Sequence, residues 1–447
     1  CPLGSILIYI LVISKSFLQL FIGTPDLNDL AFVGRSLTAL ADTGSVVLVF
    51  FLGRRLYGQA AGLLAALFLT FSVIHVQLAH FYRPEPFMLL LTLAAFWNML
   101  NVIESGRWRD HLALGLLVGT NIAFKPTGAF LVFPLGITYM ITIWQNWNFY
   151  RLMIPSVSIL TLLIQGFAGG VLGLIIFAAL EPYAILDFQQ FQVDLLREAE
   201  IVRTAGLVPY TNQYINTPNF LYEIRQSSIW GLGLPLGIIA WGGLFLTIIR
   251  LKRDSLIGDL VLLSWLLPLL LTISLFEVKF LRYVAYILPI MFLFGSRWLI
   301  VSHSWAKGKS RIIQGGISGA IISSVIATVL FGIAFSTSYT QPHPAVQASE
   351  WVNSTLPHGT YIVTDNHWDE GFPGLHRYSV SQIPIYETED VKKIASILKQ
   401  LETAEYLMIY SNRPYGSIAR LPAKFPLSSR YYHMLFDGQL GYQLEKA

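Results

Sequence analysis

The chain has 447 residues, of which 54% are hydrophobic and only 13% charged, with a net charge of +4 and a mean hydropathy of +0.57. An ordinary soluble domain carries about 25% charged residues, so a soluble globular protein is excluded, and the small, scattered basic excess gives no reason to expect a nucleic-acid partner. Cys1 is the only cysteine, which excludes an intrachain disulfide.

A bilayer core of about 30 Å needs about 20 apolar residues per helical span. The first apolar stretch, Leu3 to Gly23, is interrupted by Ser14, Lys15, Ser16 and Gln19. It reads as an external interfacial or partly embedded helix within segment 1–34, because a central lysine is costly in lipid. No charged stretch precedes it, and the chain opens on Cys1-Pro2, so further sequence is expected upstream. About ten spans follow, near 35–53, 59–79, 86–104, 111–124, 126–145, 155–179, 228–250, 258–276, 280–300 and 312–336.

Between the spans, Arg54/Arg55, Arg107/Arg109, Arg151, Lys252/Arg253 and Lys307/Lys309/Arg311 fall in alternate loops. The positive-inside rule makes these loops cytoplasmic. The turn from His80 to Pro86, the Lys125 turn, the loop 181–227, the Glu277 to Lys279 turn and everything after Tyr339 are then expected outside. The loop 181–227 contains an amphipathic pattern over Phe188 to Arg203, which predicts a helix lying on the membrane surface.

The boundary at 339/340 divides a membrane domain, 1–339, from a smaller water-facing domain, 340–447. In the latter, helices are expected at Ala345 to Asn353 and Thr388 to Leu401, and strands at Tyr361 to Val363 and Tyr406 to Ile409. Helix alternating with short apolar strand predicts a small α/β layer. The fold class is therefore an α-helical polytopic membrane protein with a small C-terminal extracytoplasmic α/β domain.

Ionisable groups beside a hydrocarbon layer mark a site by default. His80-Phe81-Tyr82-Arg83-Pro84-Glu85-Pro86 concentrates three of them in one turn. Arg83 and Glu85 head the candidate catalytic set, with pairing between them as the plain alternative. Lys125, Lys279, Arg282 and Tyr283, on other turns of the same side, together with Tyr183, Tyr210, Gln213 and Tyr214 of the long loop, are candidate contacts for a substrate or lipid phosphate. Several cations with a few carboxylates on one face suit a phosphate and a neutral polar acceptor. Glu85, held between two prolines, is also the candidate ligand for a divalent cation. Snorkelling to the interface is the competing account of Lys125.

Several stretches resemble the polytopic glycosyltransferases of the GT-C fold, family 39-like, which include protein O-mannosyltransferases and lipid A aminoarabinose transferases. They are Pro2-Leu3-Gly4, Gly34-Arg35-Ser36, Leu52-Gly53-Arg54-Arg55-Leu56-Tyr57-Gly58, His80-Phe81-Tyr82-Arg83-Pro84-Glu85 and Phe124-Lys125-Pro126-Thr127-Gly128. Further along come Glu181-Pro182-Tyr183-Ala184, Trp230-Gly231-Leu232-Gly233-Leu234-Pro235 and Val278-Lys279-Phe280-Leu281-Arg282-Tyr283. The tail adds Ala348-Ser349-Glu350-Trp351, Trp368-Asp369 and Ser411-Asn412-Arg413-Pro414-Tyr415.

The resemblance implies an inverting transfer of sugar from a polyprenyl-phosphate donor to a hydroxyl of a lipid, glycan or protein, on the outer side of a bacterial cytoplasmic membrane. Membrane lipids are then partners as well. Lys125 and Arg282 would neutralise the departing phosphate, and Glu85 would hold an acceptor group or a divalent metal ion. Two features depart from the family pattern: the acidic catalytic base of the first external loop is not found, and Glu85 stands where related proteins commonly have Asp. A lipid-linked sugar flippase or another polytopic transporter is the rival reading of the spans and polar turns.

Overall fold

The computed structural model of the chain describes residues 5–22, 24–149, 158–254, 257–365 and 373–446. The motifs Pro2-Leu3-Gly4 and Trp368-Asp369, together with Arg151 and the side chains of Lys252 and Arg253, lie outside this description. The chain divides into two compact units: residues 1–200 with 218–336, and residues 201–217 with 337–447.

The first unit is helical. It opens with α1 (Ser5–Ile22), α2 (Leu27–Tyr57), α3 (Gln59–Phe71), α4 (Val73–Ala79), α5 (Pro84–Ser105) and α6 (Trp108–Phe124). A 3-10 turn, Pro126–Leu131, leads into α7 (Val132–Phe149), α8 (Ile159–Leu180), the short α9 (Tyr183–Leu186) and α10 (Phe188–Arg203), whose last three residues belong to the second unit. After α11 (Leu221–Gln226) come α12 (Leu234–Asp254), α13 (Ile257–Leu275), the short α14 (Leu281–Ala285), α15 (Leu288–Ala306) and α16 (Arg311–Ser336).

Among the described residues, seven helices are long and apolar enough to cross a membrane, and the bent pair α3–α4 makes an eighth candidate. The expected span 59–79 is thus broken at Ser72 with a bend of 60°. The break is packed from outside: a Cβ at Gly332 of α16 would lie 2.6 Å from the Phe71 carbonyl, so only glycine lets α16 approach there. Two further expected spans appear as α6, with 17 residues, and α15, with 19 residues that are buried along most of their length. The apolar stretch of α1, Ile6–Leu20, is shorter than a span, and the Tyr82 hydroxyl ties it down by donating to the Leu7 carbonyl at 2.8 Å.

Glycines also set the spacing of α6 and α8. A Cβ on Gly115 or Gly119 would collide with the backbone of Gly169 or Gly173, so these two helices touch backbone to backbone. At the far ends of α2 and α5, Arg55 holds the pair together. It meets Glu104 at 2.8 Å, donates to Asn101 Oδ1 at 2.8 Å and lies 4.6 Å over the Trp97 ring.

The second unit contains a three-stranded parallel sheet of order β2-β1-β3, from β1 (Tyr361–Asp365), β2 (Ser379–Ile383) and β3 (Tyr406–Met408). Four helices accompany it: α17 (Pro344–Thr355), α18 (Val391–Thr403), α19 (Asn412–Ile418) and α20 (Pro426–Phe436). β2 has little apolar periodicity, which hides it from sequence reading. The helix expected from Thr388 starts at Val391 because Asp390 caps it, accepting from the Lys393 amide at 2.7 Å. The core joins Val363, Ile383, Ile397, Ile418 and Tyr432.

One buried charge in this unit has a measurable consequence. Asp365 ends β1 with 1% exposure, and its Oδ2 accepts from the Tyr432 hydroxyl at 3.2 Å. Burial pushes its carboxyl up from 3.8 to about 6. The folded state therefore holds the proton more tightly than the unfolded state, and stability falls as pH rises through that window, by about 3 kcal/mol in all. In thermal unfolding of the whole protein, Asp365→Asn is expected to gain on wild type as pH rises from 4 to 7. A gap that does not change with pH would refute this.

Candidate active site

The site is built where α5 begins, α6 ends and α14 turns. Arg83 is extended, with φ −134 and ψ 152, as the residue before a proline should be. Pro84 then occupies the first helical position, where its missing N–H costs nothing. This places Glu85 in the first turn of α5, a position that favours a carboxylate. Glu85 is 7% exposed. Its partner is not Arg83, which is exposed and forms no ion pair among the described residues. Oε1 of Glu85 instead lies 3.4 Å from Lys125 Nζ and 3.9 Å from Arg282 Nε, while Oε2 has no hydrogen-bond partner.

Lys125 ends α6 in extended backbone, φ −166 and ψ 140, because Pro126 follows. Its ammonium lies 5.0 Å over the Tyr283 ring. Arg282 lies 3.9 Å over Phe280 and 5.4 Å over Tyr283, so two cations and one carboxylate converge on an aromatic wall. Glu198 of α10 acts electrostatically on both Lys125 and Tyr283.

A buried amide fixes this geometry from beneath. Asn121 of α6 donates to the Met88 carbonyl at 3.0 Å and to Thr92 Oγ1 at 2.9 Å, and its Oδ1 accepts from the Tyr286 hydroxyl at 3.3 Å. Thr92 and Tyr286 meet at 2.5 Å. These bonds tie α5, α6 and the segment after Arg282 into one frame. His75 adds a further tie, with Nε2 3.1 Å from the Ala285 carbonyl and Nδ1 3.3 Å from Asp42.

Lys279 and Tyr183 have other surroundings within the first unit, and Tyr210, Gln213 and Tyr214 belong to the second. Lys279 is buried, with its side chain 1% exposed and 3.4 Å from Glu223. It also donates to Asn219 Oδ1 at 2.9 Å and to the Ser274 carbonyl at 3.1 Å. Tyr183 is exposed in α9, beside the buried Glu181, and no contact among the described residues links it to Glu85. Tyr210, Gln213 and Tyr214 lie in a 3-10 turn, Pro209–Tyr214, that belongs to the second unit. There Gln213 Nε2 donates to the Tyr210 carbonyl at 3.1 Å, and the Gln213 carbonyl accepts from Arg420.

Glu85 does not fit a metal ligand. Among the described residues, no three His, Cys, Asp or Glu side chains come together, and a divalent cation at Glu85 would be repelled by the two positive groups already held on its Oε1. Sequence reading missed Asn121, Glu198 and Glu223. Asn121 was recoverable as a lone amide inside an apolar helix, whereas the two carboxylates are seen only through partners distant in sequence.

Residues 13–168 match the family of dolichyl-phosphate-mannose-protein mannosyltransferases. No curated protein sequence matches the chain. Among solved structures it is similar to the oligosaccharyltransferase of Archaeoglobus fulgidus. The apo form gives a TM-score of 0.54 at 13% identity, over 96% of this chain and 64% of that one. The form tethered to an acceptor peptide gives 0.52 at 12% identity, and the complex with an inhibitory peptide and a dolichol-phosphate gives 0.51 at 13%, each over the same shares of the two chains. This chain spans just under two thirds of that relative's length, and at such identities the likeness is one of fold. The protein is a multi-pass membrane protein of the GT-C fold whose residues 13–168 carry the similarity to the dolichyl-phosphate-mannose-protein mannosyltransferase family.

Proposed function

We propose that the protein transfers a sugar from a polyprenyl-phosphate donor to an acceptor hydroxyl on the outer side of a bacterial cytoplasmic membrane, inverting the anomeric centre. The observation that carries this reading is the buried Glu85, gripped on one oxygen by Lys125 and Arg282 and unsatisfied on the other. The two cations and the carboxylate they hold sum to +1, which suits a phosphodiester donor and the extra negative charge that develops on the leaving phosphate. The family match over 13–168 and the fold's occurrence in a protein solved with a dolichol-phosphate support the donor class.

The acceptor oxygen attacks the anomeric carbon, the bond from that carbon to the phosphate oxygen breaks, and the lipid phosphate leaves with the electron pair. Lys125 and Arg282 receive that charge. Glu85 Oε2 accepts a hydrogen bond from an acceptor group and orients it. The hydroxyl proton passes to a carboxylate acting as general base, as the family resemblance implies.

The test is transfer from labelled polyprenyl-phosphate sugar by the full-length protein in proteoliposomes. Glu85→Gln is expected to lower kcat by at least about tenfold, as lost orientation does, while the donor KM stays level or falls because an anion beside the phosphate has been removed. Movement of intact donor across the bilayer without transfer would replace this reading with the flippase.

A further inference from the structure

A second charged site lies at the opposite end of the first unit. Glu85 begins α5, and α13 ends beside the turn that carries Arg282. The start of α13 and the end of α2 therefore lie at the other end, where the Tyr57 hydroxyl donates to Asp259 Oδ1 at 2.6 Å. The same carboxylate accepts from Arg297 Nη1 of α15 at 2.5 Å, so both oxygens of Asp259 are engaged.

The shape of this end follows from two glycines. A Cβ on Gly243 of α12 would collide with the backbone of Gly295 of α15, so the two helices cross in backbone contact there. Beside this crossing lies a small cleft of about 20 Å³, open to the outside and lined by Thr247 and Arg250 of α12, by Arg297, Trp298 and Val301 of α15, and by Asp259. The Thr247 hydroxyl is turned inward onto the Gly243 carbonyl at 2.8 Å, and so leaves the charged groups to dominate the cleft.

The charge does not cancel. Asp259 neutralises Arg297, whose side chain is still 24% exposed and which has four further N–H donors. Arg250 is exposed and forms no ion pair among the described residues. The cleft thus carries a net charge of +1 at the end of two apolar helices, with Val301, 38% exposed, at its rim. Basic clefts between membrane helices are suited to anionic lipid headgroups, since the phosphate meets the arginines while the acyl chains stay on the apolar helix faces.

We propose that this cleft binds the phosphate headgroup of an anionic glycerophospholipid, with Arg250 and Arg297 as its ligands. The site is separate from the Glu85 site and does not depend on the transfer reaction. Through Arg297 and Asp259 the bound headgroup is linked to α13 and the end of α2.

The experiment is native mass spectrometry of the full-length protein in detergent, titrated with dioleoyl phosphatidylglycerol. Wild type is expected to bind a first lipid more tightly than those that follow. Arg250→Ala, at an exposed position, is expected to weaken that first binding about tenfold, the effect of one charge-assisted hydrogen bond. Val301→Trp keeps every charge but fills the rim, and is expected to weaken it at least as much. Wild-type affinity in either variant overturns the proposal, as does equal binding of phosphatidylcholine. If millimolar inorganic phosphate displaces the lipid as effectively as excess phosphatidylglycerol, the ligand is a free phosphate and the lipid assignment falls.

Discussion

Replacing Arg282 with alanine is expected to lower sugar transfer by about 10²–10³-fold, the usual cost of removing one preplaced group that stabilises developing charge. The loss should appear mainly in kcat. On the proposed reading, the donor phosphate in the ground state shares its charge with Lys125 as well, whereas the departing phosphate gains charge that needs both cations. Lys125→Ala should fall in the same range. The double variant should lose less than the product of the two single losses, because both residues act on one group. Arg282→Lys restores charge but not the planar group that lies on Phe280, so partial recovery is expected. Initial rates with labelled donor in proteoliposomes decide the matter. If both single variants keep rates within about threefold of wild type, a loss too small for a charge-stabilising role, these two cations do not receive the phosphate.

Two of the three charged groups of that site, Lys125 and Glu85, were legible in the sequence for local reasons. Pro126 forces the helix to end at Lys125, and Pro84 starts one at the position before Glu85, so both groups had to lie at helix ends on the same side. What was not legible is who pairs with whom. Arg83 is two residues from Glu85 and was the obvious partner, yet the extended backbone before Pro84 leaves it exposed, and the carboxylate is taken by Lys125 and Arg282, 40 and 197 positions away in sequence. A single sequence records how groups are spaced along an element and contains almost nothing about which elements meet.

The same limit explains Tyr210, Gln213 and Tyr214. Their hydrogen-bonding character was read correctly, but the 3-10 turn that holds them packs with 337–447 as part of the second unit. The small α/β layer was easier to foresee. Its helices α17 and α18 and strands β1 and β3 have strong local patterns, whereas β2, with alternating Ser, Val, Ser and Gln, lacks one, and α19 and α20 were not foreseen. The break at Ser72, where Gly332 of α16 packs against the Phe71 carbonyl, was not foreseen either.

Lys279 shows how an identical sequence signal can have a different meaning, and it gives the second large effect. By sequence it is as good a phosphate ligand as Arg282, three residues on. In the structure its ammonium is enclosed by Glu223, Asn219 and the carbonyls of Ser274 and Phe276, leaving no donor for a substrate. Lys279→Ala should therefore destabilise the first unit by about 3–5 kcal/mol, because it leaves Glu223 buried and unpaired. The expected readouts are a lowered unfolding temperature in detergent and poor recovery of the protein from membranes. Lys279→Met combined with Glu223→Gln removes both charges at nearly constant volume, and should restore most of that stability. A phosphate-binding lysine would behave differently. The double variant would then be stable but inactive, whereas a lysine that only braces the turn before Arg282 leaves a stable protein whose transfer rate is close to wild type. Measuring unfolding and transfer on the same preparations separates the two roles, since a stable, inactive double variant would return Lys279 to the substrate site.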